Sequence, residues 1–86
     1  MISNKKLAQA GLFCLKEAAY NVLLETSDTE TPELSNQQIN ELLGIERSFQ
    51  DSYSYPLIRG VLDVLVREGR IKRVDKNGKK MMWRII

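Results

Sequence analysis

The sequence predicts a small, mostly helical α+β domain: three helices followed by a C-terminal β-hairpin. Three observations predict it. Apolar residues recur at one-turn spacing in three separate stretches, Ser35 and Gln38 stand at the spacing of a helix-capping box, and Asn77-Gly78 lies between two strand-like runs near the end. Eighty-six residues with 43% apolar content suffice for one modest core, so the chain reads as a single domain.

The first helix is expected over residues 5–25, capped by Ser3 or Asn4. Leu12, Leu15, Ala19, Val22 and Leu23 form its expected core face, and Gly11 is a candidate kink. Beside that face run Phe13, Tyr20 and Leu24, more apolar surface than a small domain buries on one helix. These three are the candidate interface of a homodimer. Residues 26–34 hold Thr, Ser, acidic residues and one proline and read as a loop. A short second helix follows over residues 36–43. Ser35 and Gln38 cap it, Leu34 and Ile39 supply a hydrophobic staple, Ile39, Leu42 and Leu43 point inward, and Gly44 ends it.

A turn is expected over residues 44–54, longer than the three or four residues of a tight helix-turn-helix, with Phe49 as its anchor. The third helix is expected over residues 55–68. Pro56 suits a first turn and biases Tyr55 toward an extended, cap-like conformation. Leu57, Ile58, Val61, Leu62 and Leu65 make its inner stripe, while Arg59, Asp63 and Arg67 lie on the opposite side. Gly69 suits the left-handed residue that stops a helix.

The hairpin is expected over residues 70–86, and two registers fit. A two-residue turn pairs Val74 with Met81 and Lys72 with Trp83. A three-residue turn with a bulge at Gly78 pairs Ile71 with Trp83 and Arg73 with Met81. The second is preferred because it gathers Ile71, Met81, Trp83 and Ile85 on one face, with Arg73 among them. Trp83 reads as core. In either register the tip carries Lys76, Asn77, Lys79 and Lys80.

Charge is unevenly spread. Residues 1–57 hold four basic against eight acidic residues, net −4; residues 58–86 hold nine against three, net +6. An acidic body with a basic end is the pattern of a polyanion binder, and a solvated basic tail is the plainer alternative. With no histidine and one cysteine, the chain lacks the means for imidazole catalysis, for His-ligated or Cys-paired metal sites and for an internal disulfide. No metal, cofactor or enzymatic activity is expected. Cys14 reads as a small buried filler in a cytoplasmic protein. Lys5-Lys6 ahead of an apolar run is not followed by a cleavage site, and no run is long enough to span a membrane.

Taken in order, these elements resemble the winged helix-turn-helix family over essentially the whole chain. Residues 34–45 look like its first motif helix and turn, and residues 56–71 look like its recognition helix running into the wing. The long turn is closer to the winged-helix modules attached to some restriction-type endonucleases than to compact regulators. The resemblance implies a protein that binds double-stranded DNA, with the recognition helix in the major groove and the wing on the backbone or minor groove. The candidate DNA-binding residues are Ser52, Tyr53, Ser54, Tyr55, Arg59, Arg67, Lys76, Asn77, Lys79 and Lys80. Arg59 is the candidate for a paired contact to guanine, against the plainer reading of an ion pair with Asp63. Three uses fit: a dimeric transcriptional regulator, a module that binds a protein partner, or the non-catalytic DNA-binding component of a restriction or modification system.

Overall fold

The computed structural model describes residues 3–45, 51–76 and 80–86. It is an α+β fold of three helices and a three-stranded antiparallel sheet: α1 (Asn4–Thr26), β1 (Leu34–Ser35), α2 (Asn36–Leu43), α3 (Asp51–Arg67), β2 (Ile71–Lys76) and β3 (Lys80–Ile85), with strand order β1-β3-β2.

α1 starts where Ser3, in extended conformation, accepts a hydrogen bond from the Lys6 amide at 3.2 Å. It runs through Gly11 without interruption. Ala19 and Leu23 are fully buried and Leu15 and Val22 pack against them, but Leu12 is 53% exposed although it lies on the same helical face. The cause is length. A 23-residue helix spans about 34 Å, longer than the body it packs on, and residues 4–14 are exposed at every position. Cys14 belongs to that overhang and is exposed, not a core filler.

The capping box forms as its sequence requires. Ser35 Oγ accepts from the Gln38 amide at 3.2 Å, and Gln38 Oε1 accepts from the Ser35 amide at 2.9 Å. Gly44 closes α2 in the left-handed conformation at φ 71°. The inward face differs from expectation in one place: Ile39 and Asn40 are buried and Leu43 is half-buried, whereas Leu42 is 60% exposed. On an eight-residue helix a shift of one position decides which side chain faces in.

α3 begins at Asp51, four residues before the expected start, and places Pro56 inside the helix with Tyr55 helical. Proline at the sixth position lies past the first turn, so it removes one helical hydrogen bond and crowds the carbonyl one turn back, a local cost near the N-terminus of the helix. The expected turn is correspondingly shorter than residues 44–54, and Phe49 lies outside the described residues. Ile58, Val61, Leu62 and Leu65 form the buried stripe. At the C-terminus the Arg70 amide donates to Leu65 O at 3.1 Å and the Gly69 amide to Val66 O at 3.0 Å, with Gly69 at φ 76°. That pair of bonds is the Schellman ending, and it needs a residue that tolerates positive φ.

The hairpin register is neither expected one. Ile71 pairs with Ile85, Arg73 with Trp83, Asp75 with Met81 and Lys76 with Lys80. The preferred register is off by two residues along the strands, which preserves the side-chain alternation. The row Ile71, Met81, Trp83, Ile85 with Arg73 therefore stands as expected. Trp83 is buried, and its indole N–H donates to Asn36 Oδ1 at 2.6 Å. This bond ties β3 to the first residue of α2. The end of the expected loop is also a strand: Leu34 pairs with Trp83 and Ser35 with Met82. No helix among the described residues is long and apolar enough to cross a membrane.

Candidate nucleic-acid interface

Because Ile71 and Trp83 face the core, the even-numbered residues of β2 and β3 occupy the other face of the sheet. Its cross-strand pairs are Lys72 with Arg84, Val74 with Met82, and Lys76 with Lys80. Two of the three pair cation with cation in register, and for Lys72 with Arg84 that arrangement costs stability. The two cationic pairs lie four residues apart along the strands, about 13 Å. Lys72 is exposed and has no acidic partner among the described residues; Arg84 has Glu33 at 3.7 Å on its far side. The segment joining the strands, residues 77–79, adds Lys79 and no acid.

The core-side row of the same hairpin treats its charges differently. Arg73 Nε donates to Asp75 Oδ1 at 3.0 Å, so the outer half of that row is self-neutralised. α3 does the same. Arg59 Nε stands 3.6 Å from Asp63 Oδ2, both side chains close to half exposed. The plainer reading of Arg59 is thus the one adopted in this structure. Arg67 is exposed in the last turn of α3, where a cation also complements the helix dipole.

The remaining expected residues divide by position. Residues 52–55 occupy the first turns of α3, and Lys76 and Lys80 are the last paired residues before the tip. Asn77 and Lys79 lie outside the described residues. Lys72 and Arg84 are additions that the sequence reading does not single out. A signal for them exists, because cations at 72, 76, 80 and 84 share one strand parity, but that parity joins the two strands into one face only when the loop holds an odd number of residues.

A second cluster clasps α1 to the turn after α3. Arg70 donates to both oxygens of Glu17, at 2.6 and 3.1 Å, and lies 3.9 Å over the Tyr20 ring. Lys16 reaches Glu68 at 2.8 Å. The Arg70 hydrogen bonds hold the Glu17 carboxyl below its ordinary range, and the Lys16 hydrogen bond does the same for Glu68. Arg70 is correspondingly held more firmly protonated. This cluster divides the apolar stripe expected at a dimer interface: Tyr20 is half-buried beneath Arg70, while Phe13 and Leu24 remain 58% and 47% exposed on either side.

Comparison with protein-family models, with curated proteins and with solved structures gave no match to this chain.

Proposed function

We propose that this chain is a double-stranded-DNA-binding protein of the winged helix-turn-helix kind, acting in transcriptional regulation. The observation that carries the reading is the sheet face on which Lys72 opposes Arg84 and Lys76 opposes Lys80. Like charges held in register are unfavourable in the free protein and become favourable against a row of phosphates, where bound counterions are released as well. The element order supports the same reading, with a helix of 17 residues leading through one glycine turn into the basic hairpin. In this proposal the N-terminal turns of α3, with residues 52–55 and Arg59, meet base edges and phosphates in the major groove. The hairpin follows the backbone or the adjacent minor groove.

The test is retention of a random pool of duplex DNA at two salt concentrations, followed by sequencing of what is retained. Binding that weakens steeply with salt and enriches a motif supports a sequence-specific regulator. Salt-dependent binding without enrichment supports the accessory component of a larger DNA-modifying system. Absence of binding at low salt overturns the DNA reading.

One observation favours a second reading, a module for a protein partner. Asp63 neutralises Arg59 on the outward face of α3, and a carboxylate there would be repelled by phosphate. Chemical-shift changes on α3 with an added protein, and none with DNA, would establish it.

A further inference from the structure

We infer that the free edge of β2 takes up an extended acidic segment of another protein, which pairs antiparallel with Ile71–Lys76 as a fourth strand of the sheet. The inference goes beyond the DNA reading and does not depend on it.

In the order β1-β3-β2 the sheet has two edges. β1 holds two residues, whereas β2 holds six, paired one to one with β3 and so without a bulge. The strand contains no proline, and Lys72, Arg73 and Asp75 are exposed, so no helix covers it. Of the devices that keep an edge from recruiting another chain, charge alone is left. The Ile86 amide donates to Arg70 O at 3.4 Å, so Arg70 and Ile86 form a hydrogen-bonded pair at the open end of the hairpin. Antiparallel alternation then turns the amides and carbonyls of the even-numbered β2 residues toward β3, and those of Ile71, Arg73 and Asp75 outward. No other element among the described residues bonds the backbone of Arg73 or Asp75.

The charges say what fits that edge. A second copy does not. An isologous pairing of β2 with itself, centred on Lys72, Arg73 or Asp75, sets that residue against its own copy. Centred on Val74, it sets Lys72 against Lys76 twice, and the contacts it makes between Arg73 and Asp75 only replace the one already formed within the strand. An acidic strand meets the opposite conditions. The rows across the outer face set Arg84 beside Lys72, Met82 beside Val74 and Lys80 beside Lys76. An incoming strand with acids next to Lys72 and Lys76 and an apolar residue next to Val74 continues each row with the side chain it lacks. Arg73 and Asp75 balance each other on the core-side row, so the residues next to them carry no charge requirement. The pattern that fits is acid, any, apolar, any, acid, with main-chain bonds giving affinity and the alternate side chains giving selectivity.

The test uses the full chain and the peptide acetyl-Glu-Thr-Val-Thr-Glu-amide, with amide hydrogen exchange read residue by residue by NMR. Exchange at Arg73 and Asp75 is expected to slow by about threefold or more at ~5 mM peptide, while Lys72 and Val74, whose amides already bond β3, hardly change. N-methylation of both threonines blocks the peptide amides that face β2 and is expected to abolish the effect. N-methylation of the valine, whose amide faces away, leaves it. Lys72→Glu is expected to lose the response and to regain it when lysine replaces the peptide's C-terminal glutamate, a reversal that damage to the fold would not allow. Unchanged exchange at Arg73 and Asp75, equal action of the threonine-methylated peptide, or equal action of a peptide with lysine at both ends would each overturn the inference. So would slow exchange at these two amides in the free chain that quickens on dilution, the mark of a second copy on the edge.

Discussion

The outward face of α3 and the outward face of the hairpin are both basic in sequence, yet they handle charge in opposite ways. On α3, Arg59 has Asp63 one turn on at 3.6 Å. On the hairpin, Lys72 faces Arg84 and Lys76 faces Lys80 across the strands; Arg84 has Glu33 at 3.7 Å, and Lys72 has no acid in reach among the described residues. A helix brings residues four apart together, so an i,i+4 acid can neutralise a cation within the element. In a hairpin the register decides the neighbour, and this register sets cation against cation. The difference teaches where to look for a polyanion: at the surface whose charges are left unbalanced, not at the element with the most familiar shape. The Arg70 cluster marks the balanced extreme, with Glu17 and Glu68 both within reach of a single guanidinium.

The largest expected effect breaks the comparison outright. Replacing Lys72, Lys76, Lys80 and Arg84 together with alanine should lower affinity for duplex DNA by ~100-fold or more. The slope of log affinity against log salt should flatten by about 0.9 for each phosphate no longer neutralised. Fluorescence anisotropy across a salt series measures both. An equal loss from Arg59→Ala/Arg67→Ala would place the weight of binding on α3 instead.

A smaller change separates stability from binding within the hairpin. Lys72→Glu converts a like-charge pair with Arg84 into an opposite one, so the folded protein should gain ~0.2–1 kcal/mol in urea denaturation. The same substitution should weaken DNA binding. If Lys72 were kept for stability, the first of these effects would have the opposite sign.

Acid should act on the balanced cluster first. Glu17 and Glu68 both titrate below the ordinary glutamate value of 4.5 in the folded chain. Their contribution is complete above that value and is lost as pH falls through it and below, because the unfolded chain takes up these protons first. The melting temperature should therefore fall in that window. Glu17→Gln should be less stable than the parent at neutral pH and show a shallower decline in acid.

Much of this architecture is legible from residues alone, and the exceptions have specific causes. Ser35 and Gln38 each cap the other's backbone N–H with a side chain, and Gly44 and Gly69 act through their own backbones, so local spacing suffices. The core row of the hairpin is legible because alternation survives a shift of two residues, whereas the register is fixed by how many residues the loop takes. Leu12 and Cys14 resist placement because exposure on α1 depends on where the body ends, a property of the other elements. β1 is hidden because two residues carry no periodicity and Leu34 already has a role as a staple. Within the site, Arg59 stands out by its place on a helix, while nothing local distinguishes Lys72 and Arg84. The neighbour of a strand residue is a tertiary fact, and the neighbour of a helical residue is a local one.

The smallest expected effect sharpens the comparison from the α3 side. Asp63→Asn removes the carboxylate beside Arg59 and leaves the helix otherwise unchanged. An exposed i,i+4 pair contributes about 0.3–0.5 kcal/mol, so stability should hardly move. DNA affinity should rise, by roughly two- to tenfold at low salt, because Arg59 becomes available and a negative charge leaves the surface. If the rise is uniform across sequences, Arg59 meets phosphate. If it is concentrated on sites with guanine at one position, Arg59 reads a base edge, and Asp63 is then the residue that holds that reading in check in the free protein. No change at all would mean that α3's outward face does not approach DNA, leaving the hairpin to bind alone.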